Sequence, residues 1–328
     1  MIRSLYYQAD GLLQTDLSQE DWSAALKDPQ GVLWVDFEAT PADEDEKILT
    51  SVFGFHPLAV DDALQETHVP KVDDWSQYIY IVLSAIVPEK KDGSLLDIHE
   101  LDIFLGQNYI VTHHDQPIDA IHHTWMACQR DDRHLKRGVD HLLYRIVDDV
   151  VAQYMPVVEE IDDEIDRIED EIFGNPGPEV LERIFSLKRA VLQMRRVVGP
   201  QREVLNRLAR DDYEVIDARA RIYFRDVYDH LVRLHDLTES LRDLIGGALD
   251  TYLSVINNRM NDIMKTLTVI TTLFMPISFV VGFFGMNYFA PVANTQVWTE
   301  LPSFYISLLI LVLVPFGMLS WIRRRGWM

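Results

Sequence analysis

Hydrophobic and polar positions follow different periods in different stretches of the chain. Over the first ~130 residues, runs rich in β-branched and aromatic side chains are bounded by turn formers: GVLWVDFEAT (31–40), YIYIVLSAIVPE (78–89) and LDIFLGQNYIVTHHD (101–115). Such runs predict strands. Between the first two, ADEDEKILTSVFG and HPLAVDDALQE predict short helices, the second with Pro57 near its first turn. Residues 1–135 are therefore expected to form a cytosolic α/β or α+β domain with a modest sheet.

Beyond residue 138 the pattern becomes helical. In VEEIDDEIDRIEDEIF, Ile161, Ile165, Ile168 and Ile172 recur at spacings of four, three and four, one apolar stripe on a surface of carboxylates. GNPGP (174–178) breaks it, and the next helix, roughly 179–198, carries Arg183, Lys188, Arg189, Arg195 and Arg196. An acidic and a basic helix joined by a tight turn are expected to fold back as a hairpin within 138–213. The acidic face is either a comb of cation ligands or a solvated surface paired with its basic neighbour; the second reading is preferred.

From about Asp217 to Met286 the helical pattern persists with Pro276 as its one proline, across the change from polar to apolar sequence. One helix of about 70 residues, about 100 Å at 1.5 Å per residue, is expected over 214–286. Residues 266–286 carry no charge over 21 positions and 303–322 none over 20. Each is long enough to cross the ~30 Å hydrocarbon core, although a buried helical hairpin would read similarly. Residues 287–302 are then an external loop. Arg323, Arg324 and Arg325 open a basic tail (323–328) and favour a cytoplasmic C-terminus. The expectation is a multi-pass integral protein of the inner or plasma membrane, held in the lipid bilayer with both termini cytoplasmic.

A heptad frame sorts the faces of the long helix. Asp250, Asn257, Met264, Thr271, Ser278 and Gly285 share one position, and Ser254, Asn261, Thr268, Met275 and Gly282 lie four residues later. Polar groups inside a bilayer are costly unless they face a bundle interior or water. Close helix packing accounts for the glycines and serines. The amides, the carboxylate and the remaining hydroxyls suit a pore between several copies better. Asn287 at its outer end would form a ring of carboxamide oxygens, acceptors for the water shell of a divalent cation. Mg²⁺ gives up its waters reluctantly, which suits such a ring. Gly285 lets the backbone turn there. The rival reading of this tripeptide is a helix cap.

Composition narrows the partners. The 328 residues include 52 acidic and 30 basic side chains, a formal charge of -22. That excludes a nucleic-acid partner, whose phosphates would be repelled. The one cysteine, Cys128, fits a reducing compartment. No cleaved signal is expected at MIRSLYYQAD. GxxxxGK[ST] does not occur, so no nucleotide and no enzymatic turnover are expected. Moving two charges inward is favoured by about 4.6 kcal/mol per 100 mV of membrane potential.

The GMN closing the first of two C-terminal spans, with a basic cluster after the second, resembles the CorA family of magnesium transporters. The likeness runs almost continuously through 224–287 and covers FGFHPLAVDDALQETHVPKVDDWSQYIYIVL (53–83). It implies a funnel-shaped homopentamer with an α/β cytosolic domain, a long stalk helix lining the pore and an outer second helix. It places the selectivity filter at Gly285, Met286 and Asn287. Pore-facing positions fall at Asp250, Asn261, Met264, Leu267, Met275, Ser278 and Gly282, to which the heptad frame adds Asn257, Thr268 and Thr271. Asp61 and Asp62 match an acidic pair of the N-terminal domain. Asp226 and His230 match stalk positions that face the pair across a subunit boundary, where the family holds regulatory Mg²⁺. Arg323, Arg324 and Arg325 stand for the family's basic tail. One departure is clear: many members carry an acidic MPEL loop after the motif, whereas YFAPVANTQVWTELP has no carboxylate before Glu300.

The expected function is a passive magnesium channel with negative feedback. Cytosolic Mg²⁺ bridges Asp62 of one subunit and Asp226 of the next, and its loss widens constrictions at Met264, Leu267 and Met275. The nearer alternative is a Zn²⁺, Co²⁺ or Ni²⁺ transporter of the same superfamily, coupled or not to protons. His113, His114, His122 and His123, with Asp115, are soft-metal ligands or a polar turn. The turn is preferred because His122 and His123 point apart on a helix. A tethered metal hydrolase using HHD is the farther rival and leaves the polar stripe without a purpose.

Overall fold

The strand-forming runs pair into one seven-stranded sheet in the computed structural model, which describes residues 1–65, 69–87, 96–174, 176–286 and 301–325. The sheet domain contains β1 (Ile2–Tyr7), β2 (Leu13–Thr15), α1 (Gln19–Ala25), β3 (Val32–Glu38), α2 (Ala42–Ser51), α3 (Pro57–Leu64), β4 (Lys71–Asp74), β5 (Ile79–Val87), β6 (Asp97–Leu105) and β7 (Tyr109–His114). Helices follow: α4 (Asp119–Arg130), α5 (Arg133–Lys136), α6 (Val139–Ala152), α7 (Tyr154–Phe173), α8 (Pro178–Arg210), α9 (Arg221–Gly285) and α10 (Leu301–Arg324). The chain divides into two compact units, Met1–Leu249 and Asp250–Met328.

In the first unit the strand order is β2-β1-β3-β7-β6-β5-β4, with β3 and β7 parallel and every other pair antiparallel. Successive strand residues point to opposite faces. Leu33, Val35 and Phe37 of β3 join Trp22, Leu49, Phe55 and Val60 in a core beneath α1, α2 and α3. Trp34 turns the other way, against Trp125 of α4 at 4.8 Å. A sheet covered on both faces reads as nearly unbroken apolar runs, which is why β3 and β5 stand out in the sequence. The run at 101–115 is two strands, because Gly106–Asn108 turns β6 into β7; the Asn108 amide donates to the carbonyls of Ala25, Leu26 and Asp28.

The helices after β7 tie back to the sheet through buried polar contacts. Gln201 of α8, fully buried, accepts the Ser84 amide of β5 at 3.0 Å and the Tyr154 hydroxyl at 3.2 Å. On α7 the stripe Ile161, Ile165, Ile168 and Ile172 is buried. Arg183 of α8 reaches Glu164 at 2.7 Å and Glu171 at 2.5 Å, so part of the acidic face is neutralised by the basic helix. The first part of α9 buries Phe224, Val227, Leu231, Leu234, Thr238, Leu241, Ile245 and Ala248, a three-four spacing that makes one seam. Arg195 of α8 pairs with Glu239 of α9 at 2.6 Å.

In the second unit, α9 continues to Gly285 through Pro276, and α10 contains Pro315. Both helices are long and apolar enough to cross a membrane. A proline removes one backbone donor, a loss membrane helices absorb by local adjustment.

Candidate functional site

Three groups of residues carry the candidate chemistry, and they differ in burial. The first is the heptad face of α9. Asp250, Asn257, Asn261, Met264, Leu267, Thr268, Thr271, Met275, Ser278, Gly282, Gly285 and Met286 are all exposed in the single chain. Exposure does not sort this face from its neighbours, because Ile263, Ile270 and Phe274 are open as well. Asn287 and the rest of the 287–300 segment lie outside the described residues.

Three hydroxyls of this face share an arrangement. Ser254 donates to the Asp250 carbonyl at 2.9 Å, Thr268 to Met264 at 2.7 Å, and Thr271 to Leu267 at 2.9 Å. Each proton is thus returned to the preceding turn, and the oxygen keeps its lone pairs as an acceptor.

The second group lies at α3 and β4. His56 caps α3 by accepting the Leu58 amide at 3.2 Å, and Pro57 occupies the first turn. That start presents Asp61 and Asp62 side by side near the helix end. Asp61 accepts from Gln65 at 2.6 Å. Asp62 is bound by the Lys71 ammonium, which also lies 3.2 Å from Asp73. Burial alone would push the lysine down, but its bonds to Asp62 and Asp73 raise it above the usual lysine value. Lys71 was not singled out by sequence reasoning.

Asp226 and His230 are one helical turn apart on α9, and both are exposed. Within the chain their neighbour is Asp148 of α6. Burial raises the Asp148 carboxyl, Arg145 lowers it, Asp149 raises it, and smaller opposing effects come from His230 and Asp226. Among the described residues, His230 forms no ion pair with Asp61 or Asp62 of the same chain, and Asp62 is held by Lys71. Asp148 is a further carboxylate that the sequence alone does not single out; it pairs with Arg145 one turn away at 3.6 Å.

The third group is buried in the sheet and overturns the polar turn expected at the histidines. His113 and His114 are the last residues of β7, 3% and 2% exposed, and strand alternation sends them to opposite faces. His113 lies between Asp45 of α2 at 3.4 Å and Asp102 of β6 at 3.8 Å. Asp45 accepts from Thr40 and Asp102 from Tyr80, at 2.6 and 2.5 Å. On the other face His114 Nε2 is 3.3 Å from Asp36, while its Nδ1 donates to the Gln116 carbonyl at 2.6 Å. His122, His123 and Asp115 are exposed and apart from this pair.

Asp36, Glu38 and His114 place one ligand atom each within 4.8 Å of one another, the one such trio among the described residues. Arg3 already donates to Asp36 at 2.8 and 2.7 Å, and Thr112 donates to it as well. Burial would raise the Asp36 carboxyl, but His114, Arg3 and Thr112 together bring it below the usual value. The guanidinium supplies the positive charge that a metal would bring, so the trio belongs to an ion cluster that locks β1 to β3 and β7.

At the end of α10, Arg323, Arg324 and Arg325 are exposed, and Arg325 stacks over Trp321 at 5.1 Å.

Comparison with known proteins adds an independent line. A family profile described as "CorA-like Mg2+ transporter protein" matches residues 29–324. A cobalt/magnesium transport protein CorA of Thermotoga maritima is 34% identical over 265 residues, 80% of this chain and 75% of its own. A cobalt/magnesium transport protein CorA of Methanocaldococcus jannaschii is 26% identical over 299 residues, 90% and 91% of the two chains. The solved structure of a CorA magnesium transporter from M. jannaschii covers 99% of this chain and 98% of its own with a TM-score of 0.84. At 22% identity that likeness is one of fold.

Proposed function

The chain belongs to the CorA-like Mg²⁺ transporter family, and from that membership we propose that it is a magnesium channel of the inner or plasma membrane. As a member it is a divalent-cation transporter and not an enzyme. The observation that carries the finer reading is the run of uncharged oxygen-bearing side chains along one heptad face of α9, ending at GMN on an uncharged span.

In this reading five copies surround an axis, with α9 inside and α10 toward lipid. Residues 1–135 form the cytosolic domain, 138–213 a helical hairpin, 214–286 the stalk and first span. Residues 287–302 face outside, 303–322 cross back, and 323–328 end in the cytosol. Asn287, Met286 and Gly285 hold the hydrated substrate ion at the entrance. Met264, Leu267 and Met275 narrow the path below, and Asp250, Asn257, Asn261, Thr268, Thr271, Ser278 and Gly282 line it. Arg323, Arg324 and Arg325 form a basic ring at the cytosolic end. The membrane potential drives entry.

Regulatory Mg²⁺ would bind between Asp61 or Asp62 of one subunit and Asp226, with His230 and Asp148 beside it, of the next. The donor set fits, because Mg²⁺ takes oxygen ligands and Asp62 already draws a cation in Lys71. Losing the ion leaves like charges facing each other and loosens the stalks. The test is Mg²⁺ influx into liposomes under an inside-negative potential. Wild type conducts, and Asn287→Ala lowers Mg²⁺ preference about tenfold, the equivalent of roughly 1.4 kcal/mol. Wild-type vesicles that admit Zn²⁺ under a pH gradient but no Mg²⁺ would overturn the reading.

A further inference from the structure

We propose that Lys71 is a built-in occupant of the cation position at Asp62, and that a regulatory divalent ion binds there only by displacing it. This rests on the reading of Asp62 as a regulatory ligand and adds the competitor against which that ligand works.

The two acidic neighbours on α3 are treated differently. Asp61 receives a neutral amide donor, Gln65, at 2.6 Å, whereas Asp62 receives an ammonium. Lys71 Nζ lies between two carboxylates, on Asp62 and 3.2 Å from Asp73, with the Tyr80 ring 5.2 Å away. Two anionic oxygens and an aromatic face are what a cation seeks. The backbone under the lysine is pinned. Lys71 pairs with Val82 across β4 and β5, and the next carbonyl, of Val72, accepts from Arg207 of α8 at 2.8 Å. The sheet therefore fixes where the lysine side chain starts, within reach of Asp62 and Asp73.

Both ions draw on the same carboxylate. Mg²⁺ binds a carboxylate oxygen at about 2.1 Å, and an ammonium hydrogen-bonds it at about 2.8 Å. A divalent ion at Asp62 would face a positive charge a few ångströms away unless the lysine swings out. The three side chains are 31%, 41% and 43% exposed, so the lysine has solvent to swing into. Lys71 thus raises the Mg²⁺ concentration at which the site fills. It also sits at the position when the divalent ion is scarce, but one positive charge shared between Asp62 and Asp73 leaves a net negative charge to face Asp226.

The experiment titrates Mg²⁺ against the full-length protein in detergent. Two equilibrium readouts are used, the thermal unfolding midpoint and resistance to proteinase K, beside inhibition of flux in liposomes. Lys71→Met should move the half-effect to roughly tenfold lower Mg²⁺, and Lys71→Arg, which keeps the charge, should stay near wild type. In an Asp62→Asn background, Lys71→Met should shift nothing further. If Asp62→Asn abolishes the Mg²⁺ response but Lys71→Met leaves the midpoint where it was, the competitor is refuted while the regulatory ligand stands. If Asp62→Asn leaves the response intact, the regulatory reading and this inference fall together. Lys71→Gln serves as the neutral variant if the methionine protein does not fold.

Discussion

Raising the pH from about 6.5 to 9 tests the imidazole held between Asp45 and Asp102. Burial alone would depress His113, but hydrogen bonds and charge from Asp102 and Asp45 outweigh it and hold the ring up at about 9. The unfolded chain titrates near 6.5. Below about pH 6.5 the ring is charged in both states, and its contribution to stability is complete. Between about 6.5 and 9 the unfolded chain has released a proton that the folded chain keeps. Stability therefore falls by about 1.4 kcal/mol per pH unit. Across the window the loss is roughly 3 kcal/mol, or about 6–12 °C in unfolding midpoint at 2–4 °C per kcal/mol for a unit of this size. The assay is thermal unfolding of the full chain in detergent at pH 6.5, 7.5 and 8.5, with wild type beside His113→Gln. The variant should be less stable at every pH, because two buried carboxylates lose their cation, and its slope should flatten. If the variant reproduces the wild-type slope, His113 does not titrate in that range and the charged-ring argument is wrong.

Asp226→Lys should weaken inhibition of flux by Mg²⁺ about tenfold; currents with unchanged Mg²⁺ sensitivity would remove Asp226 from the regulatory site. Gln201→Leu strips the buried Ser84 amide of its acceptor, while the Tyr154 hydroxyl keeps the Ser84 carbonyl. It should cost about 2 kcal/mol, read as a lower denaturant midpoint without loss of the fold.

What the sequence made legible was whatever has a period. The stripe Ile161, Ile165, Ile168 and Ile172, the strands β3 and β5, and the long helix to Gly285 all announce themselves by spacing. Short and edge strands do not. β4, KVDD, carries three charges in four residues because an edge strand faces water, and β2 has only three residues. The β6–β7 hairpin reads as one run in the sequence because Gly106–Asn108 is a turn too short to interrupt the apolar signal. Contacts between distant elements were least visible. Nothing in HPLAVDDALQ says that Asp62 meets a lysine beyond the helix, or that HH at the end of β7 would be buried on two faces of a sheet. Such pairings depend on register and packing, which no local pattern encodes.

The back-bonded hydroxyls of Ser254, Thr268 and Thr271 have one more consequence. Solvent around a cation points its hydrogens away from the ion, and solvent around an anion points its oxygens away. Hydroxyls that can receive hydrogens but have none to offer welcome the first kind of shell and leave the second unmet, whereas the carboxamides of Asn257 and Asn261 on the same face offer both. Around the proposed axis, these hydroxyls would tell the sign of an ion by the orientation of its water, with no formal charge for salt to screen.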